Sequence, residues 1–98
     1  MRLLLALLAA SPALAQEEGR EVFLEAAEPT CATCHVLADA GSAGEIGPNL
    51  DTLAELSSDR VRTAVTQGVG VMPPYEEVLS AEQIDAVAEY VASVAQGG

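Results

Sequence analysis

Cys31 and Cys34 are separated by Ala32-Thr33, and His35 follows the second thiol directly. Two cysteines at that spacing with a histidine next in line form the pattern that attaches a c-type haem. The two sulfurs add across the vinyl groups of one porphyrin edge, and the adjacent imidazole is then placed to bind the iron. His35 is the only histidine of the sequence, so no second imidazole competes for that role. Other chemistries suit these residues less well. A structural zinc ion needs four thiolate or imidazole ligands, and the chain holds two cysteines and one histidine in all. A redox-active Cys-x-x-Cys opens a helix after a strand in a thioredoxin-like unit, and nothing upstream of Cys31 reads as such a strand. A disulfide joining Cys31 to Cys34 would close a loop too short to contribute much stability.

Haem iron in an electron carrier is usually held on both faces, with methionine a common partner to histidine. The sequence has two methionines, Met1 and Met72. Met72 stands in Gly68-Val69-Gly70-Val71-Met72-Pro73-Pro74-Tyr75, where glycines allow close backbone approach and prolines stiffen the turn. A lone methionine more often fills a core. Beside a haem-attachment motif, in a segment that is not helical, it reads as the second iron ligand. Pro48 lies between the two ligands in Gly47-Pro48-Asn49-Leu50. The residues leave two readings open: an ordinary Gly-Pro turn, or a neighbouring carbonyl that accepts the free N–H of His35 and fixes its ring.

The elements that must position these groups are helical. Arg20 to Ala27 offers good helix formers, with Val22, Phe23, Ala26 and Ala27 as an apolar stripe, and Pro29 is expected to end that helix. Residues 38–50 are rich in glycine and turn formers and read as loop. Ser57 is the expected N-cap of a second helix, with Leu56 and Val61 as a hydrophobic staple and Gly68 as its stop. Ser80 and Gln83 form a capping box for a third, flanked by Leu79 and Ile84. Ile84, Val87, Ala88, Val91, Val94 and Ala95 then recur at helical spacing, and Gly97 and Gly98 end the run. No stretch shows strand alternation, so the expected class is all-α.

Residues 1–15 read as a secretory leader: Arg2 gives a positive start, Leu3 to Ala10 a short apolar core, and Ala13-Leu14-Ala15 a small-residue cleavage site. The apolar run is far shorter than the roughly twenty residues that span a bilayer, so the expected mature form is one exported, soluble domain over 16–98 with no membrane span. Export suits the haem motif, because covalent attachment in bacteria takes place outside the cytoplasmic membrane. So small a domain buries little core unaided, and bulky apolar residues are few: Phe23, Tyr75, Tyr90 and no tryptophan. A porphyrin would supply a large flat core element. The formal charge is −11, with fifteen carboxylates against four arginines and no lysine. Such a surface excludes nucleic-acid binding; it keeps an exported domain in solution or steers it toward a basic docking face.

Taken in order, these features resemble the class I monohaem cytochromes c of the small bacterial type. The resemblance rests on Gly19 and Phe23 in the first helix, on Cys31-Ala-Thr-Cys34-His35, and on Gly47-Pro48-Asn49-Leu50. It continues through Val61 to Gly68, Val71-Met72-Pro73-Pro74-Tyr75 and Ile84 to Val94 with Tyr90, and covers nearly all of 16–98. It implies a small class I cytochrome c fold, three to five helices around one covalently attached haem, with Gly19 and Phe23 meeting Tyr90 where the terminal helices cross. It further implies that Pro48 supports His35 and that Arg62 or Tyr75 reaches a haem propionate. The gap from Phe23 to Cys31 is longer than in the mitochondrial-type proteins, and their docking lysines are absent.

The expected function is that of a periplasmic electron-transfer protein, not an enzyme in itself. It would carry haem c on Cys31 and Cys34, with His35 and Met72 as axial ligands, and pass single electrons. The expected partners are redox proteins with a basic docking face, such as an oxidase, reductase or dehydrogenase. The alternative is a haem subunit of a periplasmic dehydrogenase complex, for example a sulfite-, thiosulfate- or alcohol-oxidising one. A ligand-sensing haem protein would require Met72 to leave the iron, and a thiol–disulfide protein would carry no haem.

Overall fold

The computed structural model describes residues 12–95. Most of the expected leader (residues 1–11) and the helix-ending Gly97 and Gly98 lie outside the described residues. The first helix, α1, runs Pro12–Glu21, starting earlier than the sequence suggests. Proline suits a first turn because its missing N–H would have no partner there. The helix then widens into a π-helical turn over Val22–Ala26, closed by the Ala27 N–H on the Val22 carbonyl at 3.2 Å. Val22 and Phe23 in this turn are both buried. Helical structure stops at Ala26, ahead of Pro29.

A single turn, α2, covers Cys31–Cys34. Val36–Leu37 (β1) pairs antiparallel with Ser42–Ala43 (β2), joined through a 3-10 turn at Ala38–Ala40 and Gly41. The expectation of an all-α chain is therefore corrected: the fold is helix-rich with one small hairpin inside the segment read as loop. Two-residue strands are too short to show alternation in sequence.

The remaining helices form where the caps place them. In α3, Ser58–Gln67, the Ser57 hydroxyl accepts the Arg60 N–H at 3.1 Å, and Leu56 and Val61 are both buried beneath it. In α4, Ala81–Val94, Ser80 accepts from the Gln83 N–H at 3.1 Å while the Gln83 amide oxygen accepts the Ser80 N–H at 2.8 Å.

The core forms where α1 and α3 pack on α4. Gly19 lies against α4 so closely that a Cβ there would overlap the Ala86 carbonyl oxygen and the Tyr90 Cβ. That proximity brings Phe23 and Tyr90 into an edge-to-face pair, centroids 6.2 Å apart at 64°. The Tyr90 hydroxyl donates to Asp39 at 2.6 Å and ties α4 to the hairpin. Among the described residues no buried side-chain polar atom lacks a hydrogen-bond partner.

Gly19→Ala is expected to cost about 1–3 kcal/mol, because backbone must move to admit the methyl. Ser80→Ala should cost about 1 kcal/mol through loss of the cap. Guanidinium unfolding of the two variants measures both, and a Gly19→Ala curve superimposing on the parent would contradict the close helix contact.

Candidate haem-binding site

The turn α2 presents both thiols from one short arc. Cys31 is buried, Cys34 is half-buried, and neither is in a disulfide. Burial pushes the Cys31 thiol up to about 12, with the nearby Cys34 adding to the rise. It is thus protonated at neutral pH, unlike the acidified nucleophile of a thiol–disulfide enzyme. The backbone turns extended at His35 (φ −121°, ψ 140°), releasing the imidazole from the helical turn.

The ring of His35 is then fixed by the loop that follows the hairpin. Its Nδ1 lies 2.7 Å from the Pro48 carbonyl oxygen, so Nδ1–H donates and the Nε2 lone pair is left for a metal. Of the two readings open for Pro48, its own carbonyl supplies the supporting bond. Gly47 makes the arrangement possible. Its N–H donates to the Cys34 carbonyl at 2.7 Å, and a Cβ on it would come within 2.7 Å of the imidazole Cε1.

Met72 is positioned by a tight turn after α3. Val69 and Met72 exchange backbone hydrogen bonds of 3.1 and 2.8 Å. The Tyr75 N–H reaches back to the Val65 carbonyl at 2.8 Å, anchoring the Pro73-Pro74 segment to the helix. Phe23, Leu50, Leu53, Val65 and Val87 wall an apolar cleft, open to solvent on one side, which His35, Cys31 and Met72 also line. A second hollow lies outside it, edged by Ile46, Val69, Val71 and Pro73. Cys31, His35, Val69 and Met72 line both, so the two hollows are halves of one slot.

The donor set suits an iron porphyrin: an apolar slot, two thiols on one short turn, an oriented imidazole nitrogen and a thioether sulfur. It does not suit a bare ion. Among the described residues no group of three or more histidine, cysteine or carboxylate side chains is placed to hold one.

The expected propionate partners are placed differently. Arg62 is held by Asp59 at 2.6 Å, Asp85 at 2.7 Å and Glu89 at 3.5 Å, bridging α3 to α4 away from the slot. Arg60 lines the slot instead, donating to the Ala54 carbonyl at 2.8 Å. Residues two apart on a helix point about 160° from one another, and positions 60 and 62 flank the inward stripe of Val61, Ala64 and Val65 on its two sides. Periodicity alone does not choose between Arg60 and Arg62; the structure places Arg60 at the slot. Tyr75 lines the outer hollow, but its hydroxyl donates to the Pro29 carbonyl at 2.6 Å. Burial pushes its phenol up to about 12.

Residues 14–91 match the family model described as cytochrome c oxidase, cbb3-type, subunit III. The crystal structure of the c-type cytochrome SorU from Sinorhizobium meliloti is similar at 54% identity, covering 86% of this chain and 94% of that one, with a TM-score of 0.81. No curated protein sequence matches. The chain belongs to the c-type cytochromes, in the family that this model describes. It is a small class I cytochrome c, and membership implies covalently bound haem c and electron transfer.

Gly47→Ala is expected to displace the imidazole or the loop and to lower stability by about 1–3 kcal/mol, read in urea melts of the holoprotein. An unchanged midpoint would mean that the loop does not bear on the His35 ring as described.

Proposed function

We propose that the chain is an exported, periplasmic electron carrier with one haem c, held covalently by Cys31 and Cys34 and axially by His35 and Met72. The observation that carries this reading is the convergence of those four side chains on one apolar slot. A haem bound there supplies a one-electron couple between ferric and ferrous iron. The protein's part is to hold its own groups still while charge changes. The Pro48 carbonyl keeps a proton on His35 Nδ1, which fixes the tautomer and raises the basicity of Nε2. The paired backbone bonds of Val69 and Met72 hold the sulfur-bearing residue, and Tyr75 ties its segment to Val65 of α3. Apolar walls exclude water from the slot, which favours the less charged, ferrous state, and a thioether ligand works in the same direction.

With His35 and Met72 both bound to the iron, no position would be left open to substrate, which suits electron transfer better than substrate chemistry. Export is supported by the charged start, apolar run and Ala13-Leu14-Ala15. Among the described residues no helix is long and apolar enough to cross a membrane.

Met72→Ala is expected to retain covalent haem, lower the midpoint potential and allow carbon monoxide to bind the reduced protein. An unchanged potential, with carbon monoxide still excluded, would remove Met72 from the iron. His35→Ala is expected to yield almost no normal holoprotein when co-expressed with a haem-ligation system. Recovery of parent-like spectra from that variant would remove His35 as the proximal ligand.

A further inference from the structure

Tyr75 and Tyr90 are both buried, but their hydroxyls meet different acceptors. Tyr75 donates to the Pro29 carbonyl at 2.6 Å, an oxygen that takes up no proton at neutral pH. Tyr90, 1% exposed, donates to Asp39 Oδ2 at 2.6 Å, and a carboxylate can accept the proton itself. That length falls in the short range of bonds from a hydroxyl to an ionised oxygen. Asp39 is exposed, in the 3-10 turn between β1 and β2. The pair therefore joins a phenol inside the core to a base that reaches water.

The Tyr90 ring also leads to the slot. It meets Phe23 edge to face, centroids 6.2 Å apart, and Phe23 walls the slot. Burial, with Asp39 accepting from it, pushes the Tyr90 hydroxyl well above the usual tyrosine range, and Arg20 of α1 opposes part of that rise. The phenol thus stays protonated at neutral pH, and it gives up an electron readily only if the proton leaves at the same moment. Asp39 is in place to take it. The site built from Cys31, Cys34, His35 and Met72 leaves this pair unused.

We propose that Tyr90 and Asp39 form a proton-coupled electron relay, through which a strong oxidant at the Tyr90 end of the core draws an electron from the haem. The inference rests on the electron-carrier reading and adds a second route to the same haem. The oxidant is a one-electron acceptor of the radical class, such as a nitrogen- or oxygen-centred radical. Tyr90 gives it one electron, the phenol O–H bond breaks, the proton binds Asp39 Oδ2 and a neutral phenoxyl remains. In the reduced protein the phenoxyl then takes one electron from ferrous haem through Phe23 and recovers its proton from Asp39, leaving the haem ferric. The sum is one electron passed from haem to oxidant, with no net proton released. A carrier so equipped consumes damaging radicals with the electron it already holds. Tyr75 cannot serve in this way, because its carbonyl partner takes no proton.

The test uses the purified holoprotein and tris(bipyridine)ruthenium(III), generated by a laser flash with an irreversible electron acceptor. In the ferric protein the flash is expected to leave a phenoxyl signal in freeze-quench electron paramagnetic resonance. Tyr90→Phe, which keeps the ring pair with Phe23, should lose that signal, and Tyr75→Phe should retain it. Asp39→Asn still accepts the hydrogen bond but takes no proton; it should slow phenoxyl formation about a hundredfold, with the haem spectrum and midpoint potential unchanged. Formation in the parent should be slower in deuterium oxide than in water. In the ferrous protein the flash should oxidise the haem in a fast phase that Tyr90→Phe lacks. A phenoxyl signal that survives in Tyr90→Phe, or parent-like formation in Asp39→Asn, would overturn the relay. Equal rates of haem oxidation in the reduced parent and reduced Tyr90→Phe would also overturn it. If the purified protein shows no haem band at all, it is the carrier reading that fails, and the relay with it.

Discussion

One hydrogen bond organises the site: Nδ1–H of His35 on the Pro48 carbonyl. It sets which nitrogen is free to bind iron and which way the ring faces. The short approach of Gly47 to the imidazole and the Gly47 N–H on the Cys34 carbonyl follow from the same contact. So does the course of the chain from α2 through the hairpin, because the loop must return over the ring it has just left. The small β1–β2 pair, with Leu50 N–H on the Val36 carbonyl at 3.0 Å, makes that return rigid. The histidine is therefore oriented by residues that come shortly after it in the chain. The methionine is oriented by α3 and the turn behind it, and α4 with α1 only has to bring those two local units together.

What brings them together is a core of small scale. Gly19 lets α1 lie directly on α4, Phe23 meets Tyr90 edge to face, and Tyr90 reaches on to Asp39 beside the hairpin. Tyr75 plays the matching part on the other side, from the methionine loop to the Pro29 carbonyl just ahead of the thiols. Each of the three large aromatic side chains thus joins elements distant in sequence. The lack of tryptophan and the wealth of alanine and valine then become intelligible, since little bulk is needed between helices that approach so closely.

The sequence was legible wherever a local rule decides the outcome. The Ser57 and Ser80 caps and the Gln83 capping partner depend on neighbours three residues away and appear in the structure, and the staple residues Leu56, Val61, Leu79 and Ile84, paired five apart, are all buried. The Gly19–Phe23–Tyr90 contact came from family resemblance, and no periodicity in the chain reports it. The hairpin was hidden because two-residue strands carry no alternation. The π-helical turn was hidden because Val22–Ala26 consists of ordinary helix formers, and no local pattern separates it from an α-helical turn. The resemblance points to Arg62, whereas Arg60 lines the slot; the two flank the inward stripe of α3 alike, so no local pattern separates them. The Tyr75 hydroxyl finds a backbone carbonyl far away in sequence, which no local pattern encodes.

All of these arrangements have meaning as one site only if Cys31 and Cys34 carry the porphyrin as thioethers. The most direct measurement is intact mass under denaturing conditions, on protein exported from a host with a working haem-ligation system. The account predicts the polypeptide from Gln16 to Gly98 plus one haem, with the added mass resisting acid–acetone extraction. A bare polypeptide, or haem lost on extraction, would contradict it.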